Sequence, residues 1–197
     1  MMEICLKAEN PMPAFFPVLQ QGVDVEVPGS QSLESIITNV WGFDKDFAAT
    51  KIGTVFLNGT PVDDMESTRV GDGDVVALSG PMPGLAGAIL RKGSPFAGLR
   101  RAGRPETRSG DSGNRKDHIR IHVKLFNSLI GDMGPRLLQT GVILDRKTAL
   151  SVLDSVAREP GLSVEKALVD GAELSAEEAR RRLLEEGSRQ VRFVCSV

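Results

Sequence analysis

Val55-Phe56-Leu57-Asn58-Gly59-Thr60-Pro61-Val62-Asp63-Asp64, then Val70-Gly71-Asp72-Gly73-Asp74-Val75-Val76-Ala77-Leu78, then Ser79-Gly80-Pro81-Met82-Pro83-Gly84-Leu85-Ala86-Gly87-Ala88: these three runs decide the fold. The first is a short apolar strand entering a tight turn, because Asn-Gly favours the positive backbone angles of a two-residue hairpin. The second is a Gly-Asp-Gly-Asp turn feeding another apolar strand. The third is rich in Pro and Gly, then turns apolar.

The pattern occurs twice. Leu19-Gln20-Gln21-Gly22-Val23 matches Leu138-Gln139-Thr140-Gly141-Val142. Each follows an alternating strand, Glu3–Lys7 in the first half and Arg120–Phe126 in the second, by a similar distance. A second strand follows, Val23–Val27 or Val142–Asp145, with Gly22 and Gly141 suited to the turn before it. A helical stripe comes next: Leu33, Ile36, Ile37 and Val40, capped by Ser30 or Ser32 and stopped by Gly42. Its counterpart is Leu150, Leu153, Val156 and Ala157, capped by Thr148 and stopped by Pro160-Gly161. The Phe56–Gly59 hairpin corresponds to Ala167–Gly171, which turns on Asp170-Gly171. The last strands are Asp74–Leu78 and Gln190–Cys195. Before the latter, Ser175 and Glu178 form a capping-box pattern for a helix from Ala176 to about Glu186, ended by Gly187.

Each half therefore reads strand–strand–helix–strand–strand–strand. That order implies an α+β fold with a mixed sheet and one helix packed on each half. The expected domains are 1–84 and 118–197, joined by 85–117, apolar at first and then basic. Between Arg91 and His118 there are eight Lys or Arg against three acids, a balance of +5 that leaves −7 elsewhere in a chain of net −2. From Arg100 to Asp117 almost nothing is apolar, as in a solvated linker. Without interleaved aromatics that linker does not favour nucleic-acid contact.

Composition, 41% apolar and 25% charged, is that of an ordinary soluble globular protein. No apolar run reaches the roughly 18 residues of a membrane span. The N-terminus has no signal-peptide pattern. Two cysteines make no disulfide framework. The expectation is a cytoplasmic protein with reduced thiols.

Candidate chemistry is sparse. Alternation puts Ile4 and Leu6 on one face and Cys5 on the other, so Cys5 is either a relay or contact thiol or a small residue beneath another element. Cys195 shares a face with Val191 and Phe193 and reads as core. His118 and His122 lie on one strand face but about 13 Å apart, too far for one metal. No metal site and no cofactor is implied. Asp63-Asp64, Asp72 and Asp74 fit turn chemistry and lack calcium-loop spacing. Leu85, Ile89, Leu90, Phe96 and Leu99 are too apolar for a free linker, so this segment is expected to pack against the seam, a second subunit or a partner.

Specific residues carry a family resemblance. Val123-Lys124-Leu125-Phe126, Leu57-Asn58-Gly59 and Val70-Gly71-Asp72-Gly73-Asp74-Val75-Val76 resemble the opening strand, hairpin and last turn of MoaD/ThiS-type sulfur carriers. These are ubiquitin-like β-grasp proteins, and Pro81 to Gly87 lies where they carry Pro-Pro-x-x-Gly-Gly. The resemblance implies two tandem β-grasp domains. It also implies a protein partner, such as an adenylating or cofactor-assembly enzyme, in sulfur transfer or molybdenum/tungsten-pterin cofactor assembly. In the family, a terminal Gly-Gly carboxylate is adenylated and thiocarboxylated. Here Pro83-Gly84-Leu85-Ala86-Gly87-Ala88 has no Gly-Gly and is internal. The leading expectation is thus a non-enzymatic interaction module docking through Pro83, Gly84, Leu85, Gly87, Ile89 and Leu90. A carrier cleaved near Gly84–Gly87, and an enzyme subunit whose site needs another chain, remain alternatives. Exposed sheet edges leave homo-oligomers open.

Overall fold

The computed structural model describes residues 2–8, 10–29, 31–100, 117–158, 162–169, 172–185 and 190–196. The chain is α+β with mixed β-structure. It divides into two compact units. One comprises Met1–Val23 with Met133–Val197, the other Asp24–Asp132. These units do not follow the division expected at 84 and 118, since each draws on both halves of the sequence.

The Asp24–Asp132 unit has the strand order β4-β3-β5-β6-β2. Its strands are β2 (Val23–Pro28, whose first residue groups with the other unit), β3 (Thr54–Leu57), β4 (Thr60–Pro61), β5 (Val75–Ser79) and β6 (His118–Phe126). β3 pairs antiparallel with β4 and β5, and β5 pairs parallel with β6, from Val75 opposite His122 to Ser79 opposite Phe126. The expected hairpin is present. Asn58 and Gly59 have φ of 50° and 81°, the left-handed pair that such a turn needs. Behind it, Asp74 is fully buried. Its carboxylate accepts from the Asn58 amide at 2.8 Å and the Gly71 N–H at 2.7 Å, tying the two turns together. The buried stripe Leu33, Ile36 and Ile37 begins as the helical turn α2 (Leu33–Ser35), capped by Ser32, and continues as a π-helical turn to Val40. Gly42 then takes φ 74°. The alternative cap, Ser30, lies outside the described residues. A short helix not expected from sequence follows, α3 (Lys45–Thr50), capped by Asp44.

The other unit has the order β7-β10-β1-β8-β9, from β1 (Met2–Ala8), β7 (Val142–Asp145), β8 (Leu162–Val169), β9 (Ala172–Leu174) and β10 (Gln190–Ser196). β1 lies parallel to β10 and antiparallel to β8, with a register shift between Cys5 and Leu6. β8 and β9 pair as a hairpin. Its turn, Asp170-Gly171, lies outside the described residues, as do Pro160-Gly161 and Gly187.

Two helices depart from the expected strand–strand connections. α1 (Met12–Gln21) and α5 (Ser128–Thr140) follow β1 and β6 directly. The repeated Leu-Gln-x-Gly-Val is therefore the end of a helix followed by a strand. Gly22 and Gly141 take φ 119° and 100°, and their N–H groups donate to Val18 and Leu137 carbonyls. The expectation of one helix per half fails because Pro13 and Pro17 in α1, and Gly131, Gly134 and Pro135 in α5, lower helix propensity. Burial outweighs it. Ala14, Phe15, Val18 and Leu19 recur on one face, and Phe15 meets Phe193 edge-on at 5.9 Å.

Helix α6 (Arg146–Val156) is capped by Asp145, not by Thr148. Thr148 instead donates its N–H and hydroxyl to the Asp145 carboxylate, at 3.0 and 2.7 Å. Helix α7 (Ala176–Glu185) begins with the expected capping box. The Ser175 N–H donates to Glu178 at 2.9 Å, and the Glu178 N–H donates back to the Ser175 hydroxyl. Among the described residues, no helix is long and apolar enough to cross a membrane.

Candidate functional site

The chain leaves β5 through a narrow passage. A Cβ on Gly80 would lie 2.4 Å from Ser128 Oγ, and one on Gly53 would lie 2.8 Å from Pro81 Cα. At Gly53 the obstacle is backbone, so only glycine fits there, whereas at Gly80 a side chain would require the Ser128 hydroxyl to turn away. At Gly84 the backbone takes φ 78° and helix α4 (Gly84–Leu90) begins, with Pro83 as its N-cap residue. The helix folds back so closely that a Cβ on Gly87 would sit 2.0 Å from the Met82 carbonyl oxygen. The segment that lies where sulfur carriers keep a free tail is here a folded strap.

Side chains fasten that strap. Arg100 Nη1 donates to both oxygens of Asp63, at 2.9 and 2.8 Å. Its Nε–H donates to the Ile89 carbonyl at 2.7 Å, and Asp63 also accepts from the Gly93 N–H at 2.8 Å. Burial of Asp63 acts to raise its pKa, but the hydrogen bonds from Arg100 and Gly93 prevail and hold it below the usual carboxylate value. Lys92 donates from Nζ to the Ala48 carbonyl at 2.7 Å and from its backbone N–H to Gly53. Burial pushes the Lys92 ammonium down from its ordinary value, with Glu34 opposing.

Fastening leaves apolar groups outside. Leu85 is 71% exposed, Leu99 66% and Phe96 50%, while Ile89 and Leu90 are half-buried and Gly87 is buried. Of the six expected docking residues, Pro83, Gly84 and Leu85 are exposed at the start of α4. Gly87 instead serves the packing beneath. Sequence reasoning missed Asp63, Lys92 and Arg100 as fasteners. Asp63 looked like half of a turn pair, and only its neighbour fits that part: Asp64 accepts from the N–H groups of Glu66 and Ser67. Arg100 looked like the start of the basic linker, whose residues 101–116 lie outside those described.

The other candidates are separate from the strap. Cys5 is half-buried on the face opposite Ile4 and Leu6, as alternation implies. Cys195 is buried beside Phe193. Burial pushes its thiol up to about 12, with a smaller contribution from Cys5, so it is not a thiolate at neutral pH. His118 and His122 share a face of β6. His122 Nδ1 lies 2.7 Å from Asp24 Oδ1, and Arg120 pairs with Glu26 at 3.0 Å. These groups, with Asp72, line an open groove of about 490 Å³. Among the described residues no group of three or more His, Cys, Asp or Glu is arranged to hold a metal ion. The groove holds a His122–Asp24 hydrogen bond and an Arg120–Glu26 ion pair on a sheet face.

Compared with protein-family models, curated proteins and solved structures, the chain matches none.

Proposed function

We propose that this chain is a non-enzymatic, cytoplasmic protein-interaction module of MoaD/ThiS type that docks through its strap. The single observation carrying this reading is the exposure of Leu85, Phe96 and Leu99 on a segment held by Arg100, Asp63 and Lys92. Large apolar side chains presented on a preorganised segment lose little conformational freedom on binding, which favours a protein partner. The finer fold belongs to the same proposal. Each unit is β-grasp-like, with a central parallel strand pair flanked by antiparallel neighbours, β5–β6 in one and β10–β1 in the other. The assignment to sulfur transfer or pterin-cofactor assembly, with an adenylating or cofactor-assembly enzyme as partner, rests on the resemblance of the hairpin and turn motifs.

The carrier alternative needs cleavage at Gly84 or Gly87 and a thin, free tail. The packing of Gly87 against Met82 weighs against it. Affinity purification of the intact chain beside a Leu85→Asp/Leu99→Asp variant tests the interaction reading. A stoichiometric protein partner lost from the variant supports it. Recovery of the same partner by both, or of no partner by either, overturns it.

A further inference from the structure

We infer that the two halves of this sequence are obligate structural partners, exchanging one central strand each, so that a chain broken between them remains a one-to-one complex. The N-terminal half supplies β1 to the sheet of the C-terminal half. There β1 is enclosed on both sides, from Met2 opposite Val191 to Lys7 opposite Ser196 along β10, and from Met2 opposite Val169 to Ala8 opposite Leu162 along β8. Without β1, neither β8 nor β10 keeps a neighbour on that edge, and Ile4 and Leu6, both fully buried, leave the core. The C-terminal half returns β6. It lies between β5 and β2, with Ile121, Val123 and Leu125 fully buried. Backbone bonds from Gly73 to the Arg120 carbonyl at 2.7 Å, and from His122 to the Asp74 carbonyl at 2.8 Å, extend that attachment into the Gly-Asp-Gly-Asp turn.

Main-chain ladders supply affinity when a strand is added to a sheet, and pockets for alternate side chains supply selectivity. Here both strands are central, so each half offers an incomplete sheet that the other completes. Two self-contained domains on a linker would separate once the linker was cut. This arrangement would not. The consequence goes beyond the docking role: cleavage at Gly84 or Gly87 leaves the new C-terminus on a body that still holds β6. A carrier-like 1–84 fragment is not released.

The test is to co-express the chain as two pieces, 1–110 and 111–197, with an affinity tag on one. The expected result is recovery of both pieces in equal amounts, dissociating only on unfolding. Trp41, the only tryptophan and almost fully buried in the unit that takes β6, gives a second readout. Its emission should be blue-shifted and protected from quencher in the pair, but red-shifted and quenchable in the N-terminal piece alone. Either piece purifying alone as a folded monomer, Trp41 equally shielded without the C-terminal piece, or failure to form the soluble pair overturns the inference. No partner protein or sulfur chemistry enters this test, so its failure would leave the docking proposal standing.

Discussion

Arg100 Nη1 lies 2.8 Å from Asp63 Oδ2, the arginine side chain 4% exposed and the aspartate 48% exposed. Thirty-seven positions apart in the sequence, these two residues hold the end of the strap against the loop after β4. Replacing Asp63 by Asn removes the charge and leaves the enclosed guanidinium without its counter-ion. A cost of about 1–3 kcal/mol, confined to the strap, is expected. Amide exchange across residues 84–100 should rise by one to two orders of magnitude while exchange in β5 and β6 is unchanged. Equal loss of protection throughout the unit would contradict a local fastening.

The same pair sets a pH dependence. Asp63 has a lowered pKa when folded, so its contribution is fully present above the unfolded value of about 3.9. It is lost as pH falls through the folded value. Strap protection should therefore be level from neutral pH down to about 4 and decline only below that. The Asp63→Asn variant should show no such decline. A loss of wild-type protection between pH 7 and 5 would assign the fastening to another group.

Gly87 gives a test in which two effects have opposite signs. Alanine is favoured over glycine in a helix by about 1 kcal/mol. At Gly87, however, the added methyl would meet the Met82 carbonyl oxygen at 2.0 Å. Gly87→Ala should thus destabilise or displace α4, whereas Gly98→Ala, with nothing within 4 Å of its Cβ, should be nearly neutral. Exchange rates in α4 for the two variants decide it. Stabilisation by Gly87→Ala would contradict the close approach.

At α6, Asp145→Ala should cost about 1 kcal/mol by denaturant unfolding, as loss of a helix cap does. Thr148→Ala should cost less, because the Thr148 N–H that Asp145 receives survives the change. The reverse order would restore Thr148 as the cap.

The two thiols should differ sharply. At mildly alkaline pH, half-buried Cys5 should alkylate in the native protein, and Cys195 only as fast as the protein unfolds. Peptide mapping after timed labelling reads both. Comparable rates would mean that the Cys195 environment is open.

Local signals were legible in the sequence wherever one residue type satisfies a need on its own. Asn58-Gly59 announces its hairpin, Ser175 and Glu178 their capping box, and the alternation of Ile4, Cys5 and Leu6 the faces of β1. The strand partners were not legible. β1 and β6 carry the same buried alternation, which fixes a face but not which neighbour a strand pairs with. Helices α1 and α5 were hidden because their prolines and glycines argue against a helix, while the burial that stabilises them depends on distant residues such as Phe193. The site was half legible. Apolar content marked Leu85 to Leu99 as a segment that packs, but the acid that holds it looked like part of a turn.

Native mass spectrometry of the chain isolated from its own cells tests the docking account most directly. The expected result is an uncleaved chain in non-covalent complex with a second protein, the complex being absent for Leu85→Asp/Leu99→Asp. A chain cleaved at Gly84 or Gly87, its two pieces still associated and the N-terminal piece carrying one sulfur in place of a carboxylate oxygen, would contradict it and establish carrier chemistry instead.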